Sequence, residues 1–310
     1  MEGKAVSIII PAYNEEKLLP ACLESLSNLN YPKDKFEVIV VDNGSTDKTR
    51  EIARKYGALV FRDDSKNVSG LRNLGAKQAR GDILAFVDAD CLVSSEWLNK
   101  ATVYFDDPSV AAWGGVPIPP KDSTWVQRAW SLVLQKKHQV QEVGWLPSMN
   151  LFVRKEQFGS IGGFNESLIT CEDVDFSYKI GLYGKIIADS EIEMVHLGEA
   201  ATLKEFMKKE MWRGHSNLKG ILSHGLLLRE LPSLSLPLYF GVLLPAFWLG
   251  FIISLNHYWF IASILSLILP TLAVLVKLRG KKITISDLLR VIFLIQLYFF
   301  SRTVAIVKRQ

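Results

Sequence analysis

The sequence predicts an α/β domain, a mostly parallel sheet flanked by helices, followed by a C-terminal α-helical transmembrane region. Three observations predict it. Over residues 5–117, short apolar runs alternate with segments of three-to-four-residue apolar spacing, the pattern of βαβ units. Charge is divided unevenly along the 310 residues: residues 1–200 hold 22 Lys/Arg against 28 Asp/Glu, and residues 201–310 hold 14 against 4. Between Glu230 and Lys277 lie 46 residues with no acid, lysine or arginine. These facts exclude a disordered chain, a disulfide scaffold and a simple soluble enzyme. They divide the chain into residues 1–228, acidic and cytosolic, and residues 229–310, basic and membrane-embedded.

Taken in order, Ala5–Pro11, Phe36–Asp42, Ala58–Phe61, Asp82–Asp88 and Val110–Pro117 have the length and composition of buried strands. Helical spacing falls near Glu15–Leu26, Asp47–Tyr56, Ser69–Ala79 and Ser95–Phe105. Ser45 or Thr46 would cap the second of these and Ser94 or Ser95 the fourth. At about 202–215, Leu203, Phe206, Met207 and Met211 alternate with Lys204, Lys208 and Lys209. They form an amphipathic helix that either lies on the anionic inner leaflet or covers the soluble core.

As one helix the 46-residue run would extend about 69 Å, more than twice a bilayer core of about 30 Å. It is therefore expected to fold as a hairpin with spans at 236–255 and 258–276, turning at Asn256-His257 and kinked at Pro245 and Pro270. Lys277, Arg279, Lys281 and Lys282 follow at once, which puts that end in the cytoplasm. Residues 285–307 are apolar in bulk but interrupted by Asp287, Arg290, Gln296 and Arg302. A crossing would leave Lys308 and Arg309 outside, against the charge rule, so an interfacial or re-entrant helix fits better than a third span. The N-terminus lacks a basic segment followed by a long apolar one, so no cleavable signal is expected. Cys22, Cys91 and Cys171 are widely spaced and read as reduced thiols. The basic surplus flanks the apolar run instead of forming an aromatic-interleaved stripe, which argues against nucleic acid as a partner.

The chemistry gathers where strands end. Pro11-Ala12-Tyr13-Asn14-Glu15, Asp42-Asn43-Gly44-Ser45 and Asp88-Ala89-Asp90 each follow an apolar run, and in open parallel sheets ligands bind beyond such carboxyl ends. Asp88 and Asp90 are hard oxygen ligands suited to Mg²⁺ or Mn²⁺, though two acids also suit a solvated turn. Glu172, Asp173 and Asp175 open a helix; there they either complement its dipole or supply a general base. Arg72, early in a helix, either faces a diphosphate or is an ordinary surface arginine. Gly114-Gly115 either lets backbone approach a sugar or makes a plain turn; His196 alone would suit a hydrogen-bonded structural role, and beside the Asp-x-Asp pair it is expected to be a metal ligand. Trp125, Trp130 and Trp145 suit an acceptor sugar, lipid or core packing equally.

Pro11–Glu15, Val41-Asp42-Asn43-Gly44-Ser45-Thr46-Asp47, Asp88-Ala89-Asp90, Gly162-Gly163-Phe164 and Glu172-Asp173-Val174-Asp175 together resemble, in that order, the family 2 glycosyltransferases. The resemblance covers about residues 5–215. It implies the GT-A fold and inverting transfer from a nucleotide-activated sugar, a UDP-sugar being favoured. It further implies a donor site of Pro11, Tyr13, Glu15, Asp42, Arg72, Asp88 and Gly115, and a Mn²⁺ or Mg²⁺ site of Asp90, Asp88 and His196. Asp173 would be the base, with Glu172 beside it. Trp212-Arg213-Gly214 resembles the aromatic/basic acceptor motif of processive members without its full form, so Trp212 and Arg213 are candidate acceptor contacts. A base implies a hydroxyl acceptor, because a polyprenyl phosphate is already anionic; the acceptor is expected to be a lipid or a lipid-linked or polysaccharide chain. The alternatives are a polyprenyl-phosphate glycosyltransferase and a non-catalytic, membrane-tethered nucleotide-sugar-binding protein.

Overall fold

In the computed structural model, which describes residues 4–135, 139–214, 231–281 and 283–307, the apolar runs of the first half enter an eight-stranded sheet. Its strands are β1 (Val6–Ala12), β2 (Phe36–Asp42), β3 (Leu59–Arg62), β4 (Ile83–Val87), β6 (Val110–Gly114), β7 (Val140–Glu142), β8 (Asn150–Arg154) and β9 (Lys185–Asp189). The order is β3-β2-β1-β4-β8-β6-β9-β7. β3, β2, β1 and β4 run parallel, as do β6 and β9, while β8 and β7 are antiparallel to their neighbours. The antiparallel pair comes from residues 140–154, beyond the stretch in which βαβ alternation was legible. A two-stranded sheet pairs β5 (Cys91–Val93) with β10 (Met194–His196), antiparallel.

Apolar side chains on both faces explain why β1 and β4 have no polar face. Val6, Ile8 and Ile10 enter one core cluster with Ile83, Ala85 and Val87, while Ile9, Leu84 and Phe86 enter the other. That is the period-2 alternation of a strand covered on both sides. The covering helices are α1 (Leu19–Ser27), α2 (Thr49–Lys55), α3 (Val68–Gln78), α4 (Trp97–Thr102), α6 (Lys155–Ser160) and α7 (Glu172–Ile180). Caps differ from expectation. Lys48 and Glu96 occupy the N-cap positions of α2 and α4 without side-chain cap bonds. Ser45 instead serves the β1 exit, and Asp47 accepts from the Thr49 N–H.

The chain divides into two compact units, one of Met1–Pro120 with His138–Gly198, the other of Lys121–Lys137 with Glu199–Gln310. This differs from a single division at 228, a position outside the described residues. The reason is α5 (Trp125–Leu134) and α8 (Leu203–Arg213): Val126, Trp130 and Phe206 share a buried apolar cluster with Val274, Val291 and Leu294 near the C-terminus.

In the second unit α9 (Leu231–Leu238) passes through a π-helical stretch, Tyr239–Leu243, into α10 (Leu244–Ser254). Pro245 stands at the first turn of α10, where its missing N–H is accommodated by the wider π-helical hydrogen bonding. Leu255, in the left-handed region, reverses the chain, and the Asn256 side chain accepts from the Tyr258 N–H to start α11 (His257–Leu278). α12 (Ile285–Val307) closes the chain as one helix. Ser235–Ser254 and Ile285–Ile306 are long and apolar enough to cross a membrane. Ile252, Ile253, Leu265 and Leu272 are exposed, contrary to what a buried soluble hairpin would show. The expected contributions of Lys282, Lys308 and Arg309 lie outside the described residues, as does the Pro270 side chain.

Candidate active site

The first two strand exits are tied to one another. Asn14, in the left-handed region at φ 55°, donates its N–H to Ser45 Oγ at 2.9 Å, and its Oδ1 accepts from the Thr46 N–H at 2.9 Å. The Glu15 N–H donates to Thr49 Oγ1 at 2.7 Å. Asp42 is fully buried at the end of β2; Oδ2 accepts from the Ser45 N–H at 3.1 Å and lies 3.5 Å from Arg50 Nε. Its Oδ1 is buried with no hydrogen-bond partner among the described residues. Pro11 is partly buried on β1 and Tyr13 is exposed.

Beyond β4 the acids converge. Arg72, on α3 and buried, donates from Nη2 to Asp88 Oδ1 at 2.7 Å and from Nη1 to Glu172 Oε1 at 2.8 Å. Ser148 Oγ donates to the same Glu172 oxygen at 3.3 Å. Arg72 was expected to face a diphosphate; its guanidinium instead joins the Asp88 motif to the first turn of α7. The Gly162-Gly163-Phe164 loop braces this arrangement. Asn73 Nδ2 donates to the Phe164 carbonyl at 2.9 Å, and the Phe164 ring lies 5.6 Å from the Arg72 guanidinium carbon. Asp173 sits in the same helical turn, and its Oδ1 accepts from the Val174 N–H at 2.9 Å. Asp175 is buried and paired with Lys179 at 2.7 Å, which makes it part of the helix's own structure.

Pairing of β5 with β10 sets His196 opposite Cys91, and places His196 Nε2 3.1 Å from Asp90 Oδ2. Asp90, Cys91 and His196 offer ligand atoms within 4.8 Å of one another. Burial pushes the Cys91 thiol well above its ordinary pKa, reinforced by Asp88 and Asp90. Carboxylate and imidazole are therefore the donors on offer, a set that suits Mn²⁺ and, less well, Mg²⁺. Sequence reading missed Gly198, whose fit supports the same reading: a Cβ there would lie 1.9 Å from Asp90 Oδ2 and 3.1 Å from His196 Nε2. Burial, then the charges of Asp90, Asp88 and Asp47, pushes Glu15 up to about 7, which brings a third carboxylate to the same edge.

Two expected contacts lie in different surroundings. At Gly115 the crowding that demands glycine comes from the chain itself, since a Cβ would meet the Ile192 carbonyl at 2.2 Å. Arg213, in the second unit, donates from Nη2 to Glu199 at 2.9 Å and from Nη1 to Glu210 at 2.7 Å. Its neighbour Trp212 is exposed. Trp130 is packed between Phe206 and Tyr298, Trp125 lies beneath Arg290, and Trp145 is exposed.

A mostly parallel sheet with acidic exits and a carboxylate–imidazole pair is the architecture of a GT-A enzyme. Comparison with known proteins bears this out: residues 7–158 match the family model of glycosyl transferase family 2. The glycosyltransferase AglE of Haloferax volcanii is 31% identical over 247 residues, covering 77% of this chain and 81% of that protein. The beta-monoglucosyldiacylglycerol synthase of a Nostoc species is 31% identical over 196 residues, covering 57% of this chain and 41% of that protein. Among solved structures, the mannosyltransferase PcManGT from Pyrobaculum calidifontis, in complex with GDP-Man and Mn²⁺, superposes with a TM-score of 0.66. It is 19% identical and covers 99% of this chain and 88% of its own. S. aureus TarS 1–349 in complex with UDP-GlcNAc gives 0.53 at 22% identity, covering 94% of this chain and 90% of its own. The chain belongs to glycosyl transferase family 2 and is a glycosyl-transfer enzyme.

Proposed function

We propose that this chain is a membrane-anchored, inverting glycosyltransferase. It moves a sugar from a nucleoside-diphosphate donor, a UDP-sugar by preference, to a hydroxyl of a lipid or lipid-linked acceptor, with its catalytic domain facing the cytoplasm. The gathering of Glu15, Asp88, Asp90 and Glu172 around the Arg72 guanidinium and the His196 imidazole carries this reading. Asp90 and His196 would hold Mn²⁺ or Mg²⁺, with Asp88 reaching it through water. A bound cation would offset the negative charge growing on the leaving diphosphate. Asp42 Oδ1 suits an N–H of the nucleotide base, with Pro11 and Tyr13 at the adjacent exit.

Glu172 is committed to Arg72 and Ser148, so the proton of the acceptor hydroxyl falls to Asp173. Glu172 and Arg72 hold the first turn of α7 in place, which orients that base. Trp212 remains an acceptor contact in this scheme, while Arg213 serves the structure of its own unit. A lipid acceptor agrees with the exposed apolar surfaces of α10 and α11 and with the lipid named for the Nostoc relative.

The test is Asp173→Asn. Turnover should fall about 10²–10⁴-fold with nucleotide-sugar binding unchanged. Undiminished transfer, above all to a polyprenyl phosphate, would overturn the hydroxyl-acceptor mechanism.

A further inference from the structure

α12 has the length and composition of a third membrane span, yet its contacts run across the hairpin rather than along it. Near its C-terminal end the Phe299 ring stacks on Phe240 at 4.7 Å, and the Thr303 hydroxyl donates to the Pro237 carbonyl. Near its N-terminal end Val291 and Leu294 share a buried apolar cluster with Val274 and Leu278. Residues 237–240 begin the first leg of the hairpin and residues 274–278 end the second. Both stand at the open end, far from the turn at Asn256. A helix that followed the second leg back through a bilayer would bring its later residues toward that turn. This one brings them to the start of the first leg instead.

The polar residues that interrupt α12 agree with a crosswise placement. Asp287 belongs to the helix start, where its Oδ2 accepts from the Thr284 N–H at 3.1 Å. The Arg290 guanidinium lies 5.9 Å from the Trp125 ring of α5, and Arg302 Nη2 donates to Glu210 Oε2 of α8 at 2.9 Å. The two arginines are about 18 Å apart along the axis, at about 1.5 Å per residue. Were α12 perpendicular to the membrane, α5 and α8 would have to follow it through much of the apolar core. α8 could not do so, because Lys204, Glu205 and Lys208 are exposed on it.

The side of α12 turned away from these partners is mostly apolar, with the partly buried Gln296 as the polar residue in the same sector. Ile285, Leu289, Phe293 and Phe300 are 79%, 62%, 46% and 45% exposed, and their spacing confines them to about one quarter of the helix circumference. We propose that α12 lies in the plane of the membrane across the open end of the hairpin, with this stripe seated at the boundary between headgroups and acyl chains. This rests on the membrane anchoring proposed above. It makes the bilayer the partner of the stripe, and it keeps the C-terminus on the same side of the membrane as α5 and α8. The four basic residues within 277–282 at the end of the second leg and the last basic residues then both satisfy the positive-inside rule.

Single cysteines at positions 285, 289, 293 and 300, in a full-length Cys171→Ser background, can be spin-labelled in proteoliposomes. Their depth is read from collision with oxygen and with a water-soluble nickel chelate. Cysteines at 261 and 265 in the hairpin serve as controls. The expected result is one shallow depth shared by all four stripe positions, with the controls much deeper. A depth that changes steadily from 285 to 300, positions about 22 Å apart in a helix, would overturn the in-plane placement while leaving the anchor intact. Controls that never reach lipid would overturn the anchor, and the proposal with it. A protease-cleavable tag after Gln310 gives a second reading, since cleavage only from the side opposite α8 would also overturn the proposal.

Discussion

Two groups of charges, one in each unit, differ in balance. In the first unit Glu15, Asp88, Asp90 and Glu172 gather around Arg72 and His196, with acid in excess of base among the described residues, and burial, then the neighbouring acids, pushes Glu15 up to about 7. In the second, Glu199 and Glu210 alternate with Arg213 and Arg302, and Lys209 lies 3.6 Å from Glu199, so acid is fully matched. A matched buried network holds helices together and needs nothing more. An acidic cluster with fewer basic side chains than acids among the described residues suits a cation and phosphate chemistry. Both regions combine acids with arginine, and balance is what separates the charge proposed for catalysis from the structural charge.

The comparison breaks most directly at Asp90. Asp90→Ala should lower transfer about 10³-fold and abolish its dependence on Mn²⁺, read from a Mn²⁺ titration of initial rates. If the titration curve kept its midpoint, the excess acid would have another purpose. Gly198→Ala is the next most severe change, because the added Cβ would press on Asp90 Oδ2 at 1.9 Å. Overpacking of this kind costs about 1–3 kcal/mol. The variant should bind Mn²⁺ about tenfold more weakly by calorimetry, with nucleotide binding in the absence of metal retained.

The matched network should behave differently. Arg302→Met leaves the buried Glu210 with only part of its neutralising charge and should cost about 2 kcal/mol in unfolding experiments in detergent. Adding Glu210→Leu should recover most of that loss, because a matched buried pair can be replaced by apolar packing. Equal losses in the single and double variants would mean that the pair does more than balance charge.

The smallest effect is a pH dependence. A carboxylate raised from 4.5 to about 7 holds its proton more tightly in the folded chain. Its stabilising contribution is present below pH 4.5 and is lost as pH rises through 7. A cation at Asp90 and His196 opposes that loss, so Mn²⁺ should raise the unfolding temperature more at pH 8 than at pH 5. Equal shifts at both values would separate Glu15 from the cation site.

Much of this site was legible because its residues lie at strand exits, where apolar periodicity stops and polar residues begin. β2 spans Phe36–Asp42 as expected, and Asp42, Asp88 and Asp90 fall where its pattern and that of β4 place them. The roles of arginines were not legible in the same way. Arg72 and Arg213 are flexible side chains, and which acid each meets depends on residues distant in sequence: Glu172, 100 positions from Arg72, and Glu199, 14 positions from Arg213. Gly198 was invisible for a related reason, since the need for a missing Cβ appears only once Asp90 is packed against it.

By itself the sequence determined the alternation of strands and helices, the apolar hairpin and the acidic exits, because each follows from periodicity or composition within a short window. Tertiary structure alone decided which acids are brought together beyond β4, which arginines pair within the fold, and which helices α12 packs against. Those outcomes depend on contacts between segments far apart in the chain. Residues 285–307 show the difference: four polar residues in an apolar helix looked like interruptions; Asp287 is held locally by Thr284, while Arg290 and Arg302 acquire partners only when Trp125 and Glu210 are brought alongside.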